Sequence, residues 1–208
     1  MIQNIDITTQ VQEIKRSFRL LMDGATAASM RQKGVDYKLN WGASLVMLRQ
    51  QAAQFQPSRA LAIALWKEDV RECKILATLL MPPEQCPREL AELWMEQTPN
   101  VEIAEQAAFN LYQHLPYAAF MAFQWIATDE PLRQLCGFHI LSRLFSQGRE
   151  PMGQRTINEF VDQAIAALHS PHISVRKAAQ QSLLRFAELG LVYERIATSA
   201  MKRSNLKF

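Results

Sequence analysis

What this sequence lacks narrows it first. Only seven of its 208 residues are glycine, and runs of β-branched residues are scarce, so paired strands and the tight turns between them have little to build on. Gly-rich phosphate loops, a G-x-S-x-G elbow and a Walker pattern are missing. Nucleotide sites and hydrolase nucleophiles of those kinds are therefore not expected, nor is a cofactor. Cysteine occurs three times, at Cys73, Cys86 and Cys136, and never as C-x-x-C. That speaks against a disulfide frame or a zinc site and for a reducing, cytoplasmic setting. His169-Ser-Pro-His172 has a metal-like spacing, but Pro171 separates the pair and no third ligand stands nearby, so no metal is expected. No window of about 18 uncharged apolar residues is present, and no membrane span is expected. The N-terminal MIQNIDITTQ has neither the basic nor the apolar region of a signal peptide.

Basic charge is short in one place. Residues 84–130 carry Arg88 alone against eight acids, net −7, whereas residues 1–83 are net +4 and residues 131–208 net +6, giving the overall +3.

What is present reads as helix. Ala, Leu, Gln and Glu abound, and all are good helix formers. The stretch Ser58 to Met81 is two amphipathic runs meeting at Lys67-Glu68-Asp69. Leu61, Ala62, Leu65 and Trp66 share one face of the first. In the second, Val70, Cys73, Ala77 and Leu80 recur at i, i+3, i+7 and i+10, while Arg71, Lys74 and Thr78 share the other side. A hairpin with one apolar side must bury it against similar neighbours.

The rest of the chain supplies them. A stripe of Val11, Ile14, Phe18, Leu21 and Met22 predicts a first helix capped by Thr8 or Thr9. Helix resumes after Asp23-Gly24 as far as Arg31, and Gly34 closes it. Further helices are expected over Asn40–Phe55, Arg88–Thr98 (built on Leu90, Leu93 and Trp94), Val101–Leu115, the aromatic YAAFMAFQWIA, Leu132–Gln147, Gln154–His169, His172–Leu189 and Leu191–Lys202, with SNLKF frayed. All nine prolines fall at these boundaries. The second helices of successive pairs begin near Asp69, Val101, Pro131 and His172, at intervals of 32, 30 and 41 residues, the range of α-helical repeats.

Residues 154–190 show the repeat best. A helix ending Ala-Leu-His-Ser is followed by a proline turn, Val-Arg-Lys-Ala-Ala, and a leucine-rich helix closed by Gly190; this resembles a HEAT repeat. The expected fold is an all-α, HEAT-like α-α superhelix of about six antiparallel helix pairs. It is expected to be one domain, with N-terminal helices over 1–56, a repeat core over 57–190 and a capping helix and tail over 191–208.

The order Gly34-Val35, Leu48-Arg49, Leu65-Trp66, Arg71-Glu72, Leu76-Ala77 and a late Arg176-Lys177-Ala178 helix resembles the AlkD-type DNA alkylation repair family over roughly Met30 to Gly190. The resemblance implies a HEAT-like solenoid that binds double-stranded DNA and, in active members, excises cationic alkylated bases such as 7-methylguanine or 3-methyladenine. Active members carry a pattern like Trp-Asp-x-Val-Asp. Against Val101-Glu102-Ile103-Ala104-Glu105 the aspartate falls on Glu105 and the tryptophan on Val101. A second family tryptophan falls on Gln181. A Trp-Leu-Arg-Arg type run looks like Pro131-Leu132-Arg133-Gln134, keeping one arginine. The chain thus departs at both aromatic positions and at one arginine.

A departing cationic base needs little acid catalysis. It needs a carboxylate to stabilise the positive sugar and aromatic faces to hold the lesion. Glu105 is the candidate catalytic carboxylate, and Phe109, one turn on, is a partial substitute for the missing rings. The alternative is that Glu102, Glu105, Gln106 and Gln113 form a solvated helix face. The second helices would present Arg71, Lys74, Arg133, Arg143, Lys177 and Arg185 on the concave side. Lys177, Gln181 and Arg185, in one row at i, i+4 and i+8, are the leading phosphate candidates, with Arg133 and Arg143 beside them. Excision is expected to be weak or lost. The competing function is a non-catalytic HEAT-repeat scaffold for a protein partner.

Overall fold

The structure is a computed structural model that describes residues 6–35, 37–149 and 153–203. The regular structure of these residues is helical: α1 (Ile7–Ser17), α2 (Gly24–Gln32), α3 (Leu45–Ala52), α4 (Arg59–Lys67), α5 (Arg71–Leu80), α6 (Arg88–Glu96), α7 (Val101–Asn110), α8 (Ala118–Ile126), α9 (Pro131–Ser146), α10 (Gly153–Leu168), α11 (Ile173–Ala187) and α12 (Leu191–Arg203). Short 3-10 turns add Phe18–Leu20, Pro83–Gln85 and Tyr112–His114. A single β-bridge, Leu39 to Val70, is the β structure among the described residues. The chain divides into two compact units at Leu90/Ala91, inside α6. The expected fraying of SNLKF and the proline signal at Pro151 lie outside the described residues.

In the first unit the α4–α5 hairpin is the centre, with α1 packed on α4 and α3 on α5. These contacts tie the N-terminal helices to the hairpin. The sequence pattern gives α5 an apolar side and a polar side, but both are buried: from Arg71 to Leu80 only Leu79 is not. Arg71, Lys74 and Thr78 are therefore not on an open surface. Arg71 donates to the Ala43 carbonyl at 2.8 Å and pairs with Glu72 Oε1 at 3.0 Å. Glu72, fully buried, accepts from the backbone N–H of Trp41 at 3.2 Å and of Ala43 at 3.3 Å. Lys74 donates to the Trp66 carbonyl at 3.0 Å and lies 4.9 Å from the Trp66 ring centroid. Burial pulls its amine below the ordinary lysine value. Arg71, Glu72, Lys74 and Thr78 thus each have a partner, as burial demands.

The segment before α3 explains this pattern. The sequence predicts helix from Asn40, but α3 begins only at Leu45, capped by Ser44, whose Oγ accepts from the Met47 N–H at 3.3 Å. Residues 39–43 instead run along α5, where the Arg71 N–H donates to the Leu39 carbonyl at 3.0 Å. Trp41 is half-buried there. Gly42 has φ +72°, and a Cβ on it would stand 2.1 Å from the Asp23 carbonyl oxygen. Only glycine fits that approach. Asp23 caps α2 by accepting from the Thr26 N–H at 2.9 Å and hydroxyl at 2.7 Å. Met22, placed in the first apolar stripe, is exposed.

In the second unit α9 packs against α7, α8 and α11, and α11 against α9, α10 and α12. Gly137 lets α9 approach α8: a Cβ there would lie 2.7 Å from Ile126 Cγ2 and 2.8 Å from the Ala122 carbonyl. Phe145, Phe160 and Phe186 meet at centroid distances of 5.0 to 5.6 Å, and Tyr193 joins Phe186 at 5.1 Å, so one aromatic cluster links α9, α10, α11 and α12. The buried side of α6 is Ala91, Trp94 and Met95, and Leu93 is exposed. Helix α7 ends at Asn110, short of the expected Leu115, because Leu111 leaves helical dihedrals and the chain tightens into the Tyr112–His114 turn. Ala104, Ala107, Ala108 and Leu111, at i, i+3, i+4 and i+7, are buried throughout.

Candidate nucleic-acid interface

The α7–α9 seam is built from rungs between residues 34 apart. Glu105 on α7 faces His139 on α9, with Oε1 and Nε2 3.6 Å apart. One turn on, Phe109 meets His139 edge-on at 4.8 Å, and the Arg143 guanidinium lies 5.9 Å from its ring centroid. One turn further, Gln147 donates to Gln113 Oε1 at 3.2 Å, and Gln113 donates to the Phe109 carbonyl. The spacing of four residues keeps the first two rungs on one face of α7 and α9, and the third follows just past the end of each helix. The chemistry changes along it, from carboxylate and imidazole through ring and guanidinium to paired amides.

The candidate residues take distinct places. The side chain of Glu105 is 38% exposed. Gln106 and Gln113, grouped with it in the solvated-face reading, are buried, so that reading holds for only part of the helix. Phe109 is half-buried, and Arg143 is exposed. On α11, Lys177 and Gln181 are exposed, and Arg185 pairs with Glu188 at 2.6 Å. The family's aromatic positions hold an exposed Val101 and an exposed Gln181, with no ring at either.

Arg133 stands apart. Its side chain is only 12% exposed and is held by Glu92, by Glu130 at 2.9 Å and by Glu96 at 3.6 Å. Burial opposes its charge, but the hydrogen bonds to Glu92 and Glu130 outweigh burial and raise its pKa. Glu92 also accepts from Trp125 Nε1 at 3.1 Å. The acids of α6 thus hold an arginine of α9, which accounts for part of the acidic middle of the sequence. Arg71 and Lys74, expected on the same surface as Arg143, are enclosed in the first unit.

Cys136, one turn before His139, donates to the Ala104 carbonyl at 3.2 Å, and burial pushes its thiol up out of the reactive range. Cys73 is likewise raised by burial to about 12. Both are packing residues. In the sequence alone His139 belongs to no motif. The signal that finds it is the repeat offset: the residue 34 beyond Glu105 occupies the same place as those 34 beyond Phe109 and Gln113.

Stacked helix pairs with a polar seam on the second helices define a helical-repeat protein. Its sequence matches the profile of the DNA alkylation repair enzyme family over residues 14–188, and the chain belongs to that family. The match begins earlier than the resemblance at Met30 and takes in the last turn of α1 and all of α2. The fold is shared with a solved structure described as a new family of proteins related to the HEAT-like repeat DNA glycosylases with affinity for branched DNA structures. The TM-score is 0.82 at 14% identity, over 93% of this chain and 83% of that one. No curated protein matches the sequence. The expected all-α, HEAT-like fold is therefore the fold of this chain, and among the described residues no helix is long and apolar enough to cross a membrane.

Proposed function

We propose that this protein binds double-stranded or branched DNA through the exposed polar face of α9 and α11, and that base excision is weak or absent. The observation that carries this reading is the state of the aromatic positions. Phe109 is covered by His139 and Arg143, while Val101 and Gln181 offer no ring, so a cationic base has no aromatic face to rest on. Each such contact is worth roughly 0.5–2 kcal/mol, or about 2- to 30-fold in rate where it is fully expressed in the transition state. Glu105 supplies a carboxylate that could stabilise a positive sugar, but a carboxylate alone leaves the lesion unheld. Phosphate binding keeps what it needs: Arg143 and Lys177 are exposed cations on neighbouring helices. The affinity of the related protein for branched DNA makes a junction the informative ligand.

The test is binding of a duplex, an abasic duplex and a four-way junction, with release of 7-methylguanine measured in parallel. Binding without release is expected. Vigorous release that survives Glu105→Gln would overturn the placement of the site. No binding to any of the DNAs would favour a scaffold for a protein partner, a reading that draws support from the exposed Leu184, Leu191 and Val192 at the α11–α12 junction.

A further inference from the structure

We propose that His139 is a positioning residue for Glu105, and that its protonation draws the carboxylate into an ion pair and strengthens DNA binding at this face. The proposal rests on the DNA-binding reading above.

The geometry comes from four residues. The His139 side chain is 9% exposed, and its Nε2 is fully buried with no hydrogen-bond partner. The nearest acceptor is Glu105 Oε1 at 3.6 Å, just beyond hydrogen-bond range. A buried ring nitrogen without a partner is an unfavourable arrangement, and a small rotation of the half-exposed Glu105 relieves it. The ring itself is fixed edge-on to Phe109, so the freedom lies with the carboxylate. Phe109 in turn supports Arg143, so the imidazole, the ring and the guanidinium form one packed column.

Imidazole is the side chain whose ordinary titration falls between pH 5 and 8. A proton on His139 changes a neutral contact into a charge-assisted one with Glu105 and removes an exposed negative charge from a surface that meets phosphates. The charged and titratable groups on the elements packed around it are these. Helix α7 contributes Glu105 and, one turn earlier, Glu102. Helix α9 contributes Arg143, the buried Cys136 thiol and Arg133, which is held by Glu92, Glu96 and Glu130. Helix α11 contributes Lys177, Arg176, which donates to the Ser170 carbonyl, and Arg185, paired to Glu188, and the Tyr112–His114 turn contributes His114 and the buried Tyr112. Helix α8 has no titratable side chain. Proton uptake at His139 is therefore the change in charge that reaches Glu105 directly.

Two measurements separate this proposal from the reading it rests on. The first needs no DNA: a double-mutant cycle of Glu105→Gln, His139→Gln and the double variant, read by thermal unfolding near pH 5.5 and near pH 8. Coupling between the positions should appear as at least a several-fold factor in the folding equilibrium at the lower pH and shrink at the higher. Equal coupling at both would overturn the pairing. The second is junction affinity over the same range. The parent should bind about 3- to 10-fold more tightly at the lower pH, and both His139→Gln and Glu105→Gln should flatten that dependence while His114→Gln keeps it. A slope that persists in both variants would overturn the link to DNA. Absence of binding at every pH would instead overturn the proposed function, and the cycle would still decide the pair.

Discussion

At the scale of single residues, Gly42 and Asp23 hold one corner of the first unit between them. Gly42 sits at φ +72°, with the Asp23 carbonyl oxygen 2.1 Å from where a Cβ would stand. The obstacle is backbone, which cannot swing aside. Gly42→Ala should therefore destabilise the protein by roughly 2–4 kcal/mol, combining positive-φ strain with displacement of residues 39–43 from α5; urea unfolding measures it. Asp23 predicts a dependence on acid. Hydrogen bonds from the Thr26 N–H and hydroxyl hold its carboxyl below the ordinary aspartate value. With the folded value below the unfolded one, the unfolded chain takes up the proton first. The cap contributes fully above the unfolded value, and its contribution is lost as pH falls through the folded one. Asp23→Asn keeps an acceptor for Thr26 without the titration. The parent should lose more stability than the variant between about pH 5 and pH 3, and urea midpoints at the two pH values would show it.

At the scale of elements, the helices were largely legible and their surroundings were not. The α4–α5 hairpin stands where its periodicity and Pro57, Pro82 and Pro83 place it, because propensity, pattern and punctuation agree there. The sequence misleads on α5 itself. Arg71, Lys74 and Thr78 recur as a polar stripe, and a polar stripe reads as solvent-facing. Periodicity reports which residues share a side, not whether neighbouring segments cover it: residues 39–43 bond to the start of α5 at Arg71 and Glu72, and α3 and α4 pack against the helix. Arg133 misleads similarly: its spacing puts it with Arg143, but carboxylates 37 and 41 residues earlier hold it. His139 was invisible for the opposite reason, since its meaning lies in a residue one repeat away. Burial of α5 has an energetic consequence. Glu72→Gln removes the buried carboxylate that meets the Arg71 guanidinium and the Trp41 and Ala43 N–H groups, at a cost of about 3–5 kcal/mol. Combining it with Arg71→Met should cost less than the sum of the two single changes, because the two side chains are in direct contact and each single change breaks the same buried pair. Urea unfolding of the three variants checks this.

At the scale of the whole molecule, the question is which of its cations meet phosphate, and net charge cannot answer it. The sequence carries 23 Lys and Arg against 20 Asp and Glu, an excess too small to drive nucleic-acid binding without local separation. The separation is visible within the second unit. Arg133 lies among Glu92, Glu96 and Glu130, and Arg185 is paired with Glu188, whereas Arg143 and Lys177 stand exposed. A cation already neutralised by protein carboxylates displaces few counterions from DNA, while an exposed one displaces close to one for each phosphate it meets. Arg143→Ala and Lys177→Ala should each weaken DNA binding at low salt about equally for all sequences, and each should reduce the slope of log K against log salt by about one. Arg133→Ala should behave in the opposite way. It leaves the salt slope nearly unchanged and lowers the thermal midpoint, because three carboxylates and the Trp125 indole lose the group they surround. Arg185→Ala should fall between the two, since its partner Glu188 is itself exposed and gives it up at little cost. Filter binding or fluorescence anisotropy at several salt concentrations, with a melting curve for each variant, decides the order. If Arg133→Ala flattens the slope as much as Arg143→Ala does, the carboxylates around Arg133 do not hold it when DNA is bound, and the phosphate-contacting face extends to the N-terminal end of α9.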